Sequence, residues 1–428
     1  MKIGIAFHFD SMAGGHSFRI SFLNSLYSLQ KDKKINDEFV LINLGETSQQ
    51  IEECSMYGWN ILQLPVKTMK NRLIRKIYPL LEKTGFIKWW GNNKKTHLLQ
   101  GNFQDIHYKP ALKDWLEKNE IKLIFYISPT PLCFEIGIPY VMVIFDLMHR
   151  VHPEFPEVSA DGVWESREYA FQNACRFASG ILVDSEAGKN DVITFYGNTG
   201  IRPENVMVLP FAPPGRSLTF LSDETKNEIK RKYALPDQFV FYPAQFYPHK
   251  NHFRIVHALS LLKIKYNLIV HAVFCGDYQV SQINTDNYLK AMEHAERLGI
   301  KNQIHYLGYV PDEDIPYIYS SAKALIMPTF CGPTAIPPLE AWSYGCPVII
   351  SDIWGFREQV GNAAVLVNPC CSESIAEGIK LIWLDECLCG KLIDNGYKKI
   401  SEYSQESFMR IQLDIFNKTK KAYSSTSK

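Results

Sequence analysis

The chain has 428 residues, of which 46% are hydrophobic and 21% charged, with a formal net charge of +1. That length exceeds one ordinary core and calls for two domains. Nothing in the balanced total charge suggests nucleic acid, and no apolar run approaches the roughly 18 residues that span a bilayer.

The opening stretch "MKIGIAFHFD" reads as a strand and lacks the apolar stretch and cleavage site of a signal peptide, so a cytoplasmic location is expected. Strand Lys2 to Phe9 leads into "DSMAGGH" (Asp10 to His16), whose Gly14-Gly15 pair opens a helix predicted over Ser17 to Leu29. A glycine pair there lets a ligand approach bare backbone, although the loop is not a G-x-G-x-x-G fingerprint.

The runs "FVLINL", "IKLIFYIS", "PYVMVIF" and "GILVDS" are short and almost continuously apolar, as strands buried on both faces of a parallel sheet are. Between the first two lies a local charge bias. From Pro65 to Leu98 there are nine Lys/Arg and one acid, Glu82, interleaved with "FIKWW" and "RLIRKIYPLL". Basic residues beside Trp, Leu and Ile fit an anionic membrane surface or a phosphorylated acceptor; a solvated helix pair reads the same way.

After the third strand comes "FDLMHRVHPEFPE" (Phe145 to Glu157), which clusters Asp146, His149 and His152 in a loop at a strand's carboxyl end. His149-x₂-His152 lacks a third ligand at metal spacing, so a polar, substrate-facing loop is expected. "GILVDS" is followed by a helix capped by Ser185 and ended at Gly197, and "ENVMVLPF" closes the set.

The stretch Ala212 to Gln238 is rich in proline and charge and reads as a linker with a short helix. The alternation then restarts with "FVFYPAQ" and a helix predicted over His249 to Lys263, and runs on through "NLIVHAVFCGD", "QIHYLGYV", "KALIMPT", "PVIISD" and "AAVLVNP", with helices between all but the last two. From about Gly390 the tail reads as helical and polar. The pattern implies two doubly wound α/β domains in tandem, with ligands at the carboxyl ends of strands.

Two loops of the second set carry chemistry. In "AQFYPHKNH" (Ala244 to His252), Lys250 falls at a helix start, where a cation opposes the dipole unless an anion sits there. "PTFCGPTAIPPLEAW" (Pro328 to Trp342) puts Gly332 and three prolines between a strand and a helix, as a rigid turn would or as a loop presenting backbone N–H groups to a phosphate would. Glu340, within the helix beyond that turn, either offsets the dipole or accepts hydrogen bonds from ligand hydroxyls. A lysine, a Gly/Pro loop and a carboxylate together match a nucleoside diphosphate. The acids of "PDEDIP" (Asp312, Asp314) are expected to cap a helix rather than bind metal. Ten cysteines, including Cys370-Cys371 and Cys387-x-Cys389, match no zinc spacing, and reduced thiols without a metal are expected.

These stretches resemble the family 4 retaining glycosyltransferases, which have the GT-B fold. The resemblance covers nearly the whole chain and is strongest from Phe239 to Ile379, in "IHYLGYVPDEDIPYIYSSAKALIMPT" and "PPLEAWSYGCPVIISDIWGFREQVGNAAVLVNP". It implies two Rossmann-like domains facing across a cleft. Residues 1–212 would bind the acceptor, 213–400 the nucleotide sugar, and 401–428 would form a helix returning to the first domain.

It further implies a metal-independent transfer of a sugar from a nucleoside diphosphate to an acceptor hydroxyl. The basic 65–98 segment points to a glycan or lipid-linked acceptor in bacterial surface polysaccharide assembly, and the lack of an obvious carboxylate nucleophile to front-face attack rather than a covalent intermediate. Catalytic roles fall on Lys250, Glu340, Asp146 and His149. Donor contacts fall on Gly14, Gly15, Gln245, Tyr309, Val310 and the backbone of Gly332, Pro333, Thr334, Ala335 and Ile336. Three departures stand out. Gly332 replaces the first acid of the family's pair, Gln245 replaces a basic residue, and Phe145 stands where a histidine is frequent. A subgroup with Gly-Pro-Thr in place of the acidic turn accommodates the first. The departures leave room for a non-catalytic sugar-nucleotide-binding subunit, and a phosphorylase or epimerase of the same fold is a further alternative.

Overall fold

The computed structural model describes residues 1–8, 15–45, 54–65, 105–211 and 222–426. Gly14 and the basic segment beyond Pro65 lie outside these residues. Seven strands form the first sheet: β1 (Lys2–Phe7), β2 (Glu38–Asn43), β3 (Asn60–Gln63), β4 (Leu123–Tyr126), β5 (Tyr140–Val143), β6 (Gly180–Val183) and β7 (Val206–Val208). Six form the second: β8 (Phe239–Pro243), β9 (His271–Cys275), β10 (Ile304–Tyr306), β11 (Ala324–Met327), β12 (Val348–Ser351) and β13 (Val365–Val367). The orders are β3-β2-β1-β4-β5-β6-β7 and β10-β9-β8-β11-β12-β13, and neighbouring strands pair parallel throughout. The expected pair of doubly wound sheets is present, with the two-domain architecture of the GT-B fold. β4, β5 and β6 are buried along their whole length, which explains their unbroken apolar sequence.

Seven helices frame or brace the crevice between the sheets: α1 (Gly15–Lys31), α2 (Val163–Phe177), α3 (Glu186–Tyr196), α4 (His252–Tyr266), α5 (Pro337–Ser343), α6 (Trp354–Val360) and α7 (Gln405–Thr426). Ser185 caps α3 as expected, accepting from the Gly188 N–H at 3.0 Å. β3, α2 and α6 have no counterpart in the sequence reading.

The tail is helical but not simply polar. α7 lies against the first sheet's domain: Phe408, Ile415 and Phe416 are buried there, and the Phe416 ring stacks on Phe125 at 4.2 Å. Gln412 donates to the Phe22 carbonyl of α1 at 3.0 Å. Its apolar residues recur at helical spacing among charges, so composition hides the stripe.

α5 is fixed from behind by Trp342, which is fully buried and donates from Nε1 to the Ala363 carbonyl at 3.1 Å. The second core also holds a histidine. His252 is fully buried, stacks on Phe246 at 4.1 Å, and neither ring nitrogen makes a well-formed hydrogen bond. Burial and the nearby Lys250 push its pKa down to about 3. The unfolded chain therefore binds a proton below about pH 6.5 that the folded chain refuses, and stability falls as pH drops from there towards 3. His252→Phe should keep the ring packing, hold or raise the melting temperature at pH 7, and flatten its decline between pH 6.5 and 4. An unchanged slope in thermal unfolding across that range would refute this.

Candidate functional site

β8 and β11 are neighbours in the second sheet, and the strand order reverses between them. Loops leaving such a point part to either side and open a crevice at the strand ends. Here those loops are residues 244–250 and 328–336, and they are stitched together. The His249 carbonyl accepts from Thr329 Oγ1 and from the Phe330 N–H, both at 2.9 Å. Asn251 donates from Nδ2 to the carbonyls of Pro328 (2.7 Å) and Pro369 (2.8 Å).

Lys250 does not open a helix as the sequence suggests. It ends a 3₁₀ turn, Pro248–Lys250, and Asn251 at φ 68° separates it from α4. The left-handed step, which Asn tolerates better than most residues, swings Lys250 off the helix axis and towards the crevice. Among the described residues Lys250 makes no ion pair, and burial lowers its pKa from the ordinary lysine value. Asp146 and Glu157 act on it from beyond ion-pair distance, and a part-buried ammonium with no carboxylate in direct contact favours an anion beside it.

The Pro328–Pro337 turn faces it. Gly332 has φ 135°, a region that favours glycine strongly. Among the described residues, no acceptor meets the N–H groups of Gly332, Thr334 or Ile336. Ala335 differs from its neighbours, because Gln359 of α6 clamps it. Gln359 Oε1 accepts the Ala335 N–H at 2.9 Å, and its Nε2 donates to the Ala335 carbonyl at 2.6 Å. The backbone open to a ligand is therefore that of the residues flanking Ala335.

A cavity of about 690 Å³ lies between the domains. Asp146 and Arg167 line it from the first domain, and Gln245 and Lys250 from the second. The turn contributes Gly332, Pro333, Thr334, Ala335 and Ile336. Asp146 follows β5; its Oδ1 accepts the Met148 N–H at 2.9 Å and is ion-paired with Arg167 of α2.

His149 is a correction to the sequence reading. It does not face the cavity but is fully buried. Its Nε2 meets Glu168 Oε1 at 2.8 Å and the Tyr196 hydroxyl at 3.2 Å, and Arg167 Nε donates to Nδ1 at 3.2 Å. Burial lowers its pKa despite Glu168. Glu168 is 1% exposed, is also ion-paired with Arg150, and accepts from Tyr196 at 2.6 Å. His149 therefore supports Arg167 from beneath, and Arg167 is the basic group that lines the cavity from the first domain.

Three polar contacts join the domains around the cavity. Glu157 Oε1 accepts from the His249 N–H at 3.1 Å and meets its Nδ1 at 2.7 Å. Thr334 Oγ1 donates to Asp184 Oδ2, and burial pushes the Asp184 pKa up to about 7. Glu358 of α6 accepts from the Glu186 and Ala187 N–H groups at 3.2 and 3.1 Å, so a carboxylate of one domain caps a helix of the other.

The remaining predicted residues sit around or outside this cavity. Glu340 does not line it; its Oε2 accepts from Tyr319 at 3.0 Å, one turn into α5. Tyr309 is exposed and Val310 buried, just beyond β10 on the same edge of the sheet but outside the lining. Gly15 opens α1. Asp314 stands at a helix N-cap, as expected of an acid there, but its carboxylate does no capping. It accepts from Lys232 and Tyr233, each at 2.6 Å.

Among the described residues no group of three or more His, Cys, Asp or Glu is placed to hold a metal ion, and no helix is long and apolar enough to cross a membrane. Each of the nine cysteines other than Cys54 is a thiol outside any disulfide. Sequence reasoning missed Arg167, Glu157, Gln359 and Glu358. No sequence signal marks them, since each is a polar residue on a helix that carries other polar residues.

Comparison with known proteins matches part of the chain to a family. Residues 225–399 match the profile of the family Glycosyl transferases group 1. The chain is 24% identical over 257 residues to the serotype-specific mannosyltransferase WbdA of Escherichia coli, covering 59% of this chain and 30% of that protein. It is 33% identical over 142 residues to O-antigen chain mannosyltransferase B of Escherichia coli, covering 33% of this chain and 36% of that protein. The chain thus spans about a third of the length of these curated relatives. The crystal structure of Anabaena Alr3699/HepE in complex with UDP-glucose superposes with a TM-score of 0.68 at 16% identity, covering 97% of this chain and 99% of that one.

Proposed function

We infer that this chain, which carries a glycosyl transferases group 1 domain over residues 225–399 within a GT-B fold, moves a sugar from a nucleoside-diphosphate sugar to an acceptor hydroxyl. The observation that carries the reading is Lys250, a part-buried ammonium with no ion-pair partner among the described residues, lining an interdomain cavity together with a turn whose N–H groups are unmet.

Breaking the anomeric C–O bond places growing negative charge on the departing diphosphate. A fixed cation and aimed amide groups stabilise that charge as it forms, and one well-placed donor is worth ~2.7–4 kcal/mol in comparable oxyanion sites. The N–H groups of Gly332, Thr334 and Ile336 and the Lys250 ammonium would hold the diphosphate. Glu340 would take the ribose hydroxyls, Tyr309 and Val310 the base, and Gly14 and Gly15 the phosphates from the opposite side.

Among the described residues, no carboxylate lining the cavity stands free as a nucleophile, because Asp146 is committed to Arg167 and Asp184 to Thr334. Front-face attack, with the leaving phosphate taking the acceptor proton, fits that lining and retains the anomeric configuration. Contact between the domains excludes water and limits hydrolysis.

The division of labour accords with the same reading: acceptor binding by residues 1–212, donor binding by 213–400, and 401–428 holding the two together. The names of the mannosyltransferase relatives favour a mannose donor and an O-antigen, capsule or exopolysaccharide product, made at the cytoplasmic side of a membrane. The 65–98 segment would supply the membrane contact.

A thermal-shift series with GDP, UDP, ADP and dTDP and their sugar conjugates, with and without magnesium, tests the donor class. A concentration-dependent rise for one base, metal-independent and accompanied by nucleotide release when acceptor is added, is the expected result. Binding without release would favour a non-catalytic sugar-nucleotide-binding subunit, which Gly332 and Gln245, replacing an acid and a base, leave open. No shift with any nucleotide would sink both readings.

A further inference from the structure

We propose that Glu157 and His249 form a dyad divided between the domains, which presents the Nε2 of His249 as a hydrogen-bond acceptor to a sugar hydroxyl in the cavity. This rests on the nucleotide-sugar reading above. Glu157 comes from a short helix of the first domain, Pro156–Ser159, and His249 from the 3₁₀ turn of the second. One carboxylate oxygen takes both the backbone N–H and the ring Nδ1 of His249, at 3.1 and 2.7 Å.

An ionised carboxylate can only accept, so Nδ1 carries the proton. Burial raises the Glu157 pKa, but the hydrogen bonds from His249 outweigh it and hold the group below its ordinary value, so it is ionised at neutral pH. Burial and the adjacent Lys250 push the His249 pKa down to about 4, so the ring is neutral at pH 7. A neutral ring protonated at Nδ1 has a lone pair on Nε2. That nitrogen has no partner among the described residues, and His249 lines the cavity beside Lys250.

The Glu157 side chain is 7% exposed, and its second oxygen, Oε2, is buried without a partner. Stability alone would not select such an arrangement, since a desolvated carboxylate costs more than one short hydrogen bond returns. The arrangement makes sense as a device that fixes a tautomer. It also divides the recognition. The Lys250 ammonium takes an anionic phosphate, whereas a lone pair repels phosphate oxygens and accepts only from a donor such as O–H. Because the two residues belong to different domains, the acceptor is oriented only while the domains are in contact. Glu157 is thus a positioning residue, and His249 is the group that touches the sugar.

The test uses the full chain and four proteins: wild type, His249→Ala, Glu157→Ala and Glu157→Gln. Calorimetric binding of UDP, UDP-glucose, GDP and GDP-mannose is compared, with the histidine tautomer read from ¹⁵N-edited NMR. Free nucleoside diphosphate should bind all four within about twofold. The matching sugar conjugate should lose about tenfold in His249→Ala and Glu157→Ala, the scale of one neutral hydrogen bond. Glu157→Gln should recover most of that loss, because its amide oxygen still accepts from Nδ1–H. The wild-type ring should be the Nδ1–H tautomer, and Glu157→Ala should be a mixture.

If conjugate binding holds but transfer to methyl α-mannoside falls about tenfold while donor hydrolysis does not, the hydroxyl belongs to the acceptor and the dyad stands. Equal losses for nucleotide and conjugate, or a wild-type ring protonated at Nε2, overturn the dyad and leave the donor reading intact. A wild type that binds no nucleotide overturns both.

Discussion

Lys250→Ala should lower kcat by about two to three orders of magnitude while leaving the protein folded, and more stable without ligand than the wild type. The first part follows from the developing charge. An aimed donor in a water-poor site is worth ~2.7–4 kcal/mol at the transition state, which corresponds to about 10²–10³ in rate. The second follows from burial. The ammonium is partly withdrawn from water without an ion-pair partner among the described residues, and burial lowers its pKa. Alanine removes the charge and the cost together. The ligand-free melting temperature should therefore rise, while the shift produced by a nucleoside diphosphate shrinks or vanishes. A structural lysine would give the reverse pattern, with lost stability and retained turnover. Steady-state kinetics alongside thermal unfolding separates the two, and near-normal kcat would remove Lys250 from the chemistry.

What could be read from the sequence, and what could not, reflects a physical division. The sheets were legible because strands buried on both faces must be apolar throughout, as β4, β5 and β6 are. β3 was not, because "NILQ" is a half-exposed edge strand with two polar ends. The 328–337 turn was legible because glycine and proline act locally: the sequence places at 332 the one residue type that takes a φ of 135° without strain. Lys250 stood out as a charge in the wrong place for a helix start. Its true position, two residues ahead of the helix, required Asn251 to turn left-handed, which its sequence permits but does not announce.

His149 was misread for a different reason. A histidine after a strand looks the same whether it faces solvent or core, and the residue that decides, Glu168, is 19 positions away. Arg167 and Glu157 were invisible on the same grounds. Each takes its role from a partner across a helix or a domain, and local pattern carries no trace of such a partner.

Gly355→Ala should reduce kcat/KM by about a hundredfold through a residue with no polar side chain and no contact with substrate. A Cβ on Gly355 would lie 2.0 Å from the Pro333 carbonyl oxygen, 2.6 Å from its carbon and 2.7 Å from the Pro333 Cα. All three atoms are backbone, and backbone flanked by Gly332 and a fixed proline ring cannot rotate aside as a side chain can. Either α6 or the turn must give way. α6 is held at several points. Gln359 clamps Ala335 with two hydrogen bonds, Glu358 caps α3 across the cavity, and the Phe356 ring would lie 3.4 Å from a Cβ at Gly332.

Retreat of α6 would pull all three contacts, so the strain falls on the turn whose N–H groups meet the diphosphate in the proposed site. A misplacement of about 1 Å there is enough to cost about 10² in rate, and overpacking at a close contact typically costs ~1–3 kcal/mol of stability. Gly390→Ala is the control. Gly390 lies inside a helix, and a Cβ added to it would meet nothing within 4 Å, so alanine there should be neutral or stabilising. Kinetics within twofold of wild type in Gly355→Ala would mean that the turn yields without consequence. The unmet amides of Gly332, Thr334 and Ile336 would then not be the diphosphate's anchor.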